Sequence, residues 1–134
     1  MKKIYLLFLL AAFAIATEAQ IETHNSVSTS QEGGRYEIVQ SPILRKLTFK
    51  LDKTSGVVKQ MVKTETDGIA WQSVYVEGLL DEYDNLPQNW RDKINFQIFM
   101  SGTMARDCFL LNIITGQIWV YVTGSSGEYF QKTY

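Results

Sequence analysis

Phe49-Lys50-Leu51-Asp52-Lys53-Thr54-Ser55-Gly56-Val57-Val58 returns later in the chain as Phe109-Leu110-Leu111-Asn112-Ile113-Ile114-Thr115-Gly116-Gln117-Ile118. The spacing holds throughout, because 109 minus 49, 112 minus 52 and 116 minus 56 all equal 60. Self-similarity at a fixed period marks a repeated supersecondary unit. The turn inside each copy has a definite chemistry. The side-chain oxygen of Asp52 or Asn112 accepts hydrogen bonds from backbone N–H groups just ahead of it, and Gly56 or Gly116 takes the positive φ that closes a bulged hairpin. Asp52, Gly56, Asn112 and Gly116 are therefore read as structural turn residues.

Strand patterns extend outward from these hairpins. Tyr36-Glu37-Ile38-Val39-Gln40 alternates apolar and polar residues, the two-residue period of a half-buried strand, and 47–51, 57–62 and 69–76 are rich in strand formers. Asp67-Gly68 supplies a further turn between antiparallel strands. The second copy has strands at 95–100, 108–111, 117–123 and 128–134. Past the hairpin its register drops by one, so that Trp71-Gln72 corresponds to Phe130-Gln131 at a separation of 59. The pattern predicts one all-β domain over 35–134. Two tandem antiparallel β-meander repeats, 35–77 and 95–134, pack as a small sandwich or a partly open barrel with the second unit in the centre. A loop, or a short helix opening at Pro87, is inserted between them.

The N-terminal segments read differently. Lys2 and Lys3 precede thirteen apolar residues from Ile4 to Ala16, and Thr17-Glu18-Ala19 offers small residues where a signal peptidase reads, so 1–19 is expected to be a signal peptide. Thirteen apolar residues fall short of the roughly 18 to 20 that span a bilayer as a helix, so no membrane insertion is expected once the signal is removed. The polar stretch 20–34 reads as a flexible spacer, or an arm that docks on a partner. The expected location is periplasmic or secreted.

Composition excludes several function classes. The chain has 13 basic and 14 acidic residues, and losing 1–19, with Lys2, Lys3 and Glu18, leaves 11 and 13 for a formal charge of −2. That balance gives no basic footprint for nucleic acid. The lysines of the first copy are read as the wet face of a sheet, alternating with Phe49, Val57 and Met61. Cys108 is the single cysteine, so no disulfide framework exists within the chain, and its apolar surroundings make it a small buried hydrophobe. His24 is the single histidine and lies in the spacer, so neither a zinc site nor Cys–His catalysis is expected, and no cofactor is implied. Asp81, Glu82 and Asp84, beside Asn85, form the densest carboxylate patch but lack the alternating ligands and central glycine of a calcium loop.

Aromatic residues supply the remaining candidates. Trp71 and Phe130 occupy matching positions, as core residues would. Trp119 has Lys59 as its counterpart, which makes Trp119 and Tyr121 the preferred surface residues for contacting a ligand or partner. The second copy is apolar on both faces, with Cys108 and Leu110 opposite Phe109 and Leu111, and Ile118, Val120 and Val122 opposite Trp119 and Tyr121. Such strands are covered on both sides, or one side is free to bind.

Leu110-Leu111-Asn112-Ile113-Ile114-Thr115-Gly116-Gln117-Ile118-Trp119 resembles the "LLDTxTGxxW" hairpin of short exported bacterial proteins with no assigned activity, and the first copy departs from it at Lys59. The hairpin also looks like the blade motif of quinoprotein propellers, but two units do not enclose a cofactor and that chemistry is not carried over. The expectation is an exported noncatalytic binding or assembly module, with a protein or glycan partner or a homo-oligomer. The alternative is a carbohydrate-binding module or envelope hydrolase using exposed aromatics and the acidic loop.

Overall fold

The computed structural model describes residues 27–28, 33–42, 44, 46–66, 68–100 and 107–134. The segment read as a signal peptide, His24 and Asp67 lie outside the described residues. The chain forms strands β1 (Val27–Ser28), β2 (Tyr36–Gln40), β3 (Thr48–Asp52), β4 (Val58–Lys63) and β5 (Ile69–Val76). Helix α1 (Leu79–Asp84) and a 3₁₀ turn (Gln88–Trp90) follow, and then β6 (Phe96–Met100), β7 (Cys108–Asn112), β8 (Ile118–Gly124) and β9 (Gly127–Lys132). The fold is all-β, and no helix among the described residues is long and apolar enough to cross a membrane.

All strands belong to one sheet in the order β1-β2-β3-β4-β5-β9-β8-β7-β6. Every neighbouring pair is antiparallel except β5 and β9, which run parallel. The second copy therefore does not occupy the centre. The final strands of the two halves meet there, and β6 is an outer strand. Val27–Ser28 falls inside the stretch expected to be a spacer, and pairs with Val39 and Gln40 as a short edge strand.

The sheet curls until distant strands touch, giving a nearly closed barrel. Phe49 of β3 meets Tyr121 of β8 edge-on at 5.1 Å and Phe130 of β9 at 5.9 Å between ring centroids. At the hairpin end, the backbone N–H groups of Asn95 and Phe96 both donate to Lys53 O, at 2.8 and 2.9 Å, tying the start of β6 to the first turn. The core comprises Val39, Phe49, Leu51 and Val58 from the first half and Phe96, Ile98, Leu110, Trp119, Tyr121 and Phe130 from the second, among others. Each such side chain contributes about 1.5 to 3 kcal/mol on burial.

The parallel seam decides which side of each strand enters that core. In-register neighbours share a face, and here Tyr75 pairs with Tyr129 and Val76 with Phe130, a separation of 54. The sequence match of Trp71 with Phe130 has a separation of 59. The difference of five is odd, so matching residues point to opposite faces. Phe49, Leu51 and Val58 are buried, whereas Phe109 and Leu111 are half-buried and Ile118 is exposed. Lys59 is exposed, whereas Trp119 is fully buried. Phe130 is likewise fully buried, but Trp71 is 38% exposed, contrary to its expected place in the core. Phe49 is buried, away from the lysines as its alternation with them predicts, but Met61 shares the outward face with Lys59 and Trp71. Val57, which precedes β4, is exposed and Val58 takes the core position.

The insertion between the halves carries a helical turn opening after Pro87, as expected, and a further helix besides. Pro87 precedes only the three-residue 3₁₀ turn, and the helix lies earlier, at Leu79–Asp84. Leu79, Tyr83 and Leu86 recur at helical spacing and pack on the core, which turns the acidic residues of the same segment toward the sheet end or solvent.

Candidate functional site

The two hairpin turns share their backbone geometry. Asp52 N donates to Val57 O and Gly56 N to Asp52 O, at 2.9 and 2.8 Å; Asn112 N donates to Gln117 O and Gly116 N to Asn112 O, also at 2.9 and 2.8 Å. Gly56 has φ 75° and Gly116 has φ 78°. Asp52 Oδ1 accepts from Thr54 N and Thr54 Oγ1 at 3.1 and 2.8 Å, while Asn112 Oδ1 accepts from Ile114 N at 3.0 Å and Thr115 N at 3.3 Å.

Their electrostatic partners are opposite in sign. Arg35 Nη2 donates to Asp52 Oδ2 at 2.8 Å and Arg35 Nε to Asp52 Oδ1 at 3.1 Å, a forked charge-assisted pair. Burial alone would raise the Asp52 pKa, but hydrogen bonds from Arg35 and Thr54, together with the Arg35 charge, bring it from 3.8 down to about 2. At the second turn the carboxylate comes from α1. Glu82 is buried, and its Oε1 accepts from Asn112 Nδ2 at 3.3 Å and from the Thr115 hydroxyl, while Oε2 lies 3.6 Å from Lys132 Nζ. The neutral amide of Asn112 can donate to that carboxylate, as an aspartate could not.

Glu82 is thus part of the architecture, and it is separated in role from the exposed Asp81 and Asp84. Among the described residues no group of three or more histidine, cysteine or acidic side chains is placed to hold a metal ion. Cys108 is fully buried, and burial pushes its thiol up to about 12, so it is held protonated in the core.

Trp119 and Tyr121, expected on the surface, both lie in the core. Trp119 Nε1 donates to Glu77 O at 2.8 Å, fastening β8 to the end of β5. The Tyr121 hydroxyl lies 2.7 Å from Glu128 Oε2 and 3.0 Å from Gln60 Oε1. Burial, followed by the Glu128 carboxylate, pushes its phenol pKa up. Neither ring offers a face to a ligand. The parity of the β5–β9 seam moved them inside, and nothing within either hairpin announces that parity.

The surface left available is the outer face of the sheet, and its two halves differ. On the second half, Phe99, Phe109 and Val120 are paired in register across β6, β7 and β8, with Leu111 and Ile118 paired beside them. Phe99 is 60% exposed and its ring lies 6.3 Å from that of Phe109. Helix α1 packs on the core and on the second turn, and no described contact places it over this row. On the first half the outward residues are Tyr36, Ile38, Lys50, Lys59, Met61 and Trp71, and Tyr36, Lys50, Asp52, Val57 and Lys59 line a groove of about 260 Å³. Comparison with protein-family models, curated proteins and solved structures finds no match to this chain.

Proposed function

We propose that the protein is an exported, noncatalytic binding and assembly module that associates with a second copy of itself through the outer face of its second half. One observation carries the reading: the row Phe99, Phe109 and Val120, with Leu111 and Ile118 alongside, presents apolar side chains on a face that no other described element covers. Strands apolar on both sides normally have both sides packed. Export rests on the basic, apolar and small-residue order of 1–19.

The same reading treats the two halves as copies of one four-stranded unit. The pair Tyr36 with Asp52 has its counterpart in Phe96 with Asn112, and Leu51 with Val58 in Leu111 with Ile118, shifted by 60 at every partner. The pair Met61 with Trp71 has its counterpart in Tyr121 with Phe130, shifted by 60 and 59. That support is backbone register, independent of which face is buried.

Size-exclusion chromatography with light scattering on the processed protein tests the assembly. The expected result is a concentration-dependent dimer that Phe99→Glu and Ile118→Lys convert to a folded monomer. A wild-type protein that stays monomeric at the highest attainable concentration would end the assembly reading.

A further inference from the structure

We infer that the outer face of the first half is a binding site for an anionic polysaccharide, one carrying carboxylate or sulfate groups. The site is a diagonal line of four outward side chains, Tyr36, Lys50, Lys59 and Trp71, one on each of β2, β3, β4 and β5. It goes beyond self-association and uses none of the residues assigned to that contact.

Register places the line. Ile38, Lys50, Lys59 and Ser73 pair successively across the four strands, so Lys50 and Lys59 are direct cross-strand neighbours. Tyr36 lies two residues from Ile38 toward the turn, beside Asp52, and Trp71 lies two residues from Ser73 in the opposite direction, beside Met61. With strands about 4.8 Å apart and same-face residues about 6.8 Å apart along a strand, the two rings stand about 20 Å from each other with both ammonium groups between them. Such a span suits an oligosaccharide of several residues lying across the strands.

The charges point to the kind of sugar. Like charges directly opposite each other on adjacent strands destabilise a sheet. Among the described residues neither Lys50 nor Lys59 has a carboxylate salt-bridge partner, because Asp52, the acid lining the same groove, is engaged by Arg35. Lys50 leans toward Tyr36, its Nζ 5.1 Å from the ring centroid. An anion seated between the two ammonium groups relieves that repulsion. Trp71, 38% exposed, offers a flat apolar surface of the sort that stacks on the carbon face of a sugar, and Tyr36, 53% exposed, holds the Lys50 and Arg35 cations at 5.1 and 5.2 Å from its ring at the other end. Nucleic acid fits less well, because the whole chain carries a formal charge of −1 and the basic residues form no extended stripe.

Calorimetric titration of the protein with oligogalacturonate, a sulfated oligosaccharide, a neutral galactose oligomer of equal length, polyglutamate and an oligodeoxynucleotide tests the assignment. Binding is expected for at least one of the two anionic saccharides and for none of the other three. The double variant Lys50→Gln, Lys59→Gln should weaken it at least about tenfold and flatten its salt dependence. Tyr36→Ala and Trp71→Ala should each weaken it several-fold, and Lys63→Gln, off the line, should leave it unchanged. All these side chains sit on the solvent side of the sheet, and circular dichroism checks that the variants remain folded. Repeating the titration with Phe99→Glu separates this site from self-association, since binding should survive there. The inference fails if neither anionic saccharide binds, if the neutral oligomer, polyglutamate or DNA binds equally well, or if the double lysine variant binds like wild type.

Discussion

At the turn after β3, Gly56 is packed beneath Leu79 and Phe96 and Asp52 is paired with Arg35; at the turn after β7, Gly116 faces open space and the carboxylate is supplied by Glu82 from α1. The backbones nevertheless match in hydrogen bonds and in φ. Conformation in these hairpins is therefore set by residues inside them, whereas aspartate or asparagine at the first position answers to whatever lies across the gap. An arginine there suits a carboxylate, and a carboxylate there suits an amide. The strands behind the turns show the same division, since their pairing registers correspond while their buried faces are exchanged.

Matching positions with exchanged faces offer the sharpest way to break this comparison. Trp119→Ala, which empties a fully buried site, should cost about 3 to 5 kcal/mol in urea unfolding, whereas Lys59→Ala at the matching position should change stability by less than about 0.5 kcal/mol. Similar losses at both would mean the faces are not exchanged. The glycines come next. At Gly56 a Cβ would lie 2.7 Å from Leu79 Cδ1 and 2.8 Å from Phe96 Cε1 in addition to the positive φ, while at Gly116 it would meet nothing within 4 Å. Gly56→Ala should therefore cost about 3 kcal/mol or more, and Gly116→Ala about 1 to 2 kcal/mol from backbone strain alone.

The turn carboxylates give the finest discrimination. Asn112→Asp places a second carboxylate beside buried Glu82 and should cost about 1 to 3 kcal/mol at neutral pH, a loss that Glu82→Gln in the same chain should largely restore. Asp52 has a depressed pKa, so its contribution is fully present above its ordinary 3.8 and is lost as pH falls through about 2. Unfolding measured between pH 5 and pH 2 should thus show wild type losing stability that Asp52→Asn does not lose. An identical pH profile in the variant would show that the Arg35 pair adds nothing.

How far the sequence carries the fold follows from the range of each interaction. The strand Ile69–Val76 is legible to the residue because turn residues and alternation bracket it within one segment. The hairpin hydrogen bonds of Asp52 and Asn112 follow from side chains acting over two or three residues. The face that Trp119 turns is not legible, because it depends on β9 adding in parallel to β5 with a particular offset, a contact between segments more than 50 residues apart. Helix α1 was hidden for a related reason. Its Glu82 looks like part of a solvated acidic run until the Asn112 turn and Lys132 are seen around it. The lysine and aromatic line on the first half was half visible, as a wet basic face, but its diagonal needed the registers of three strand pairs.

β9 follows the other described strands in sequence and joins the two halves. Synthesis delivers it after the other described strands, so until it arrives β5 and β8 each keep a raw flank and Phe130 leaves a gap in the interior. A nascent or C-terminally clipped product would consequently be two unsealed half-sheets rather than a shortened barrel. Such species attract chaperones and proteases, and for this molecule quality control turns on whether β9 has closed the gap between β5 and β8.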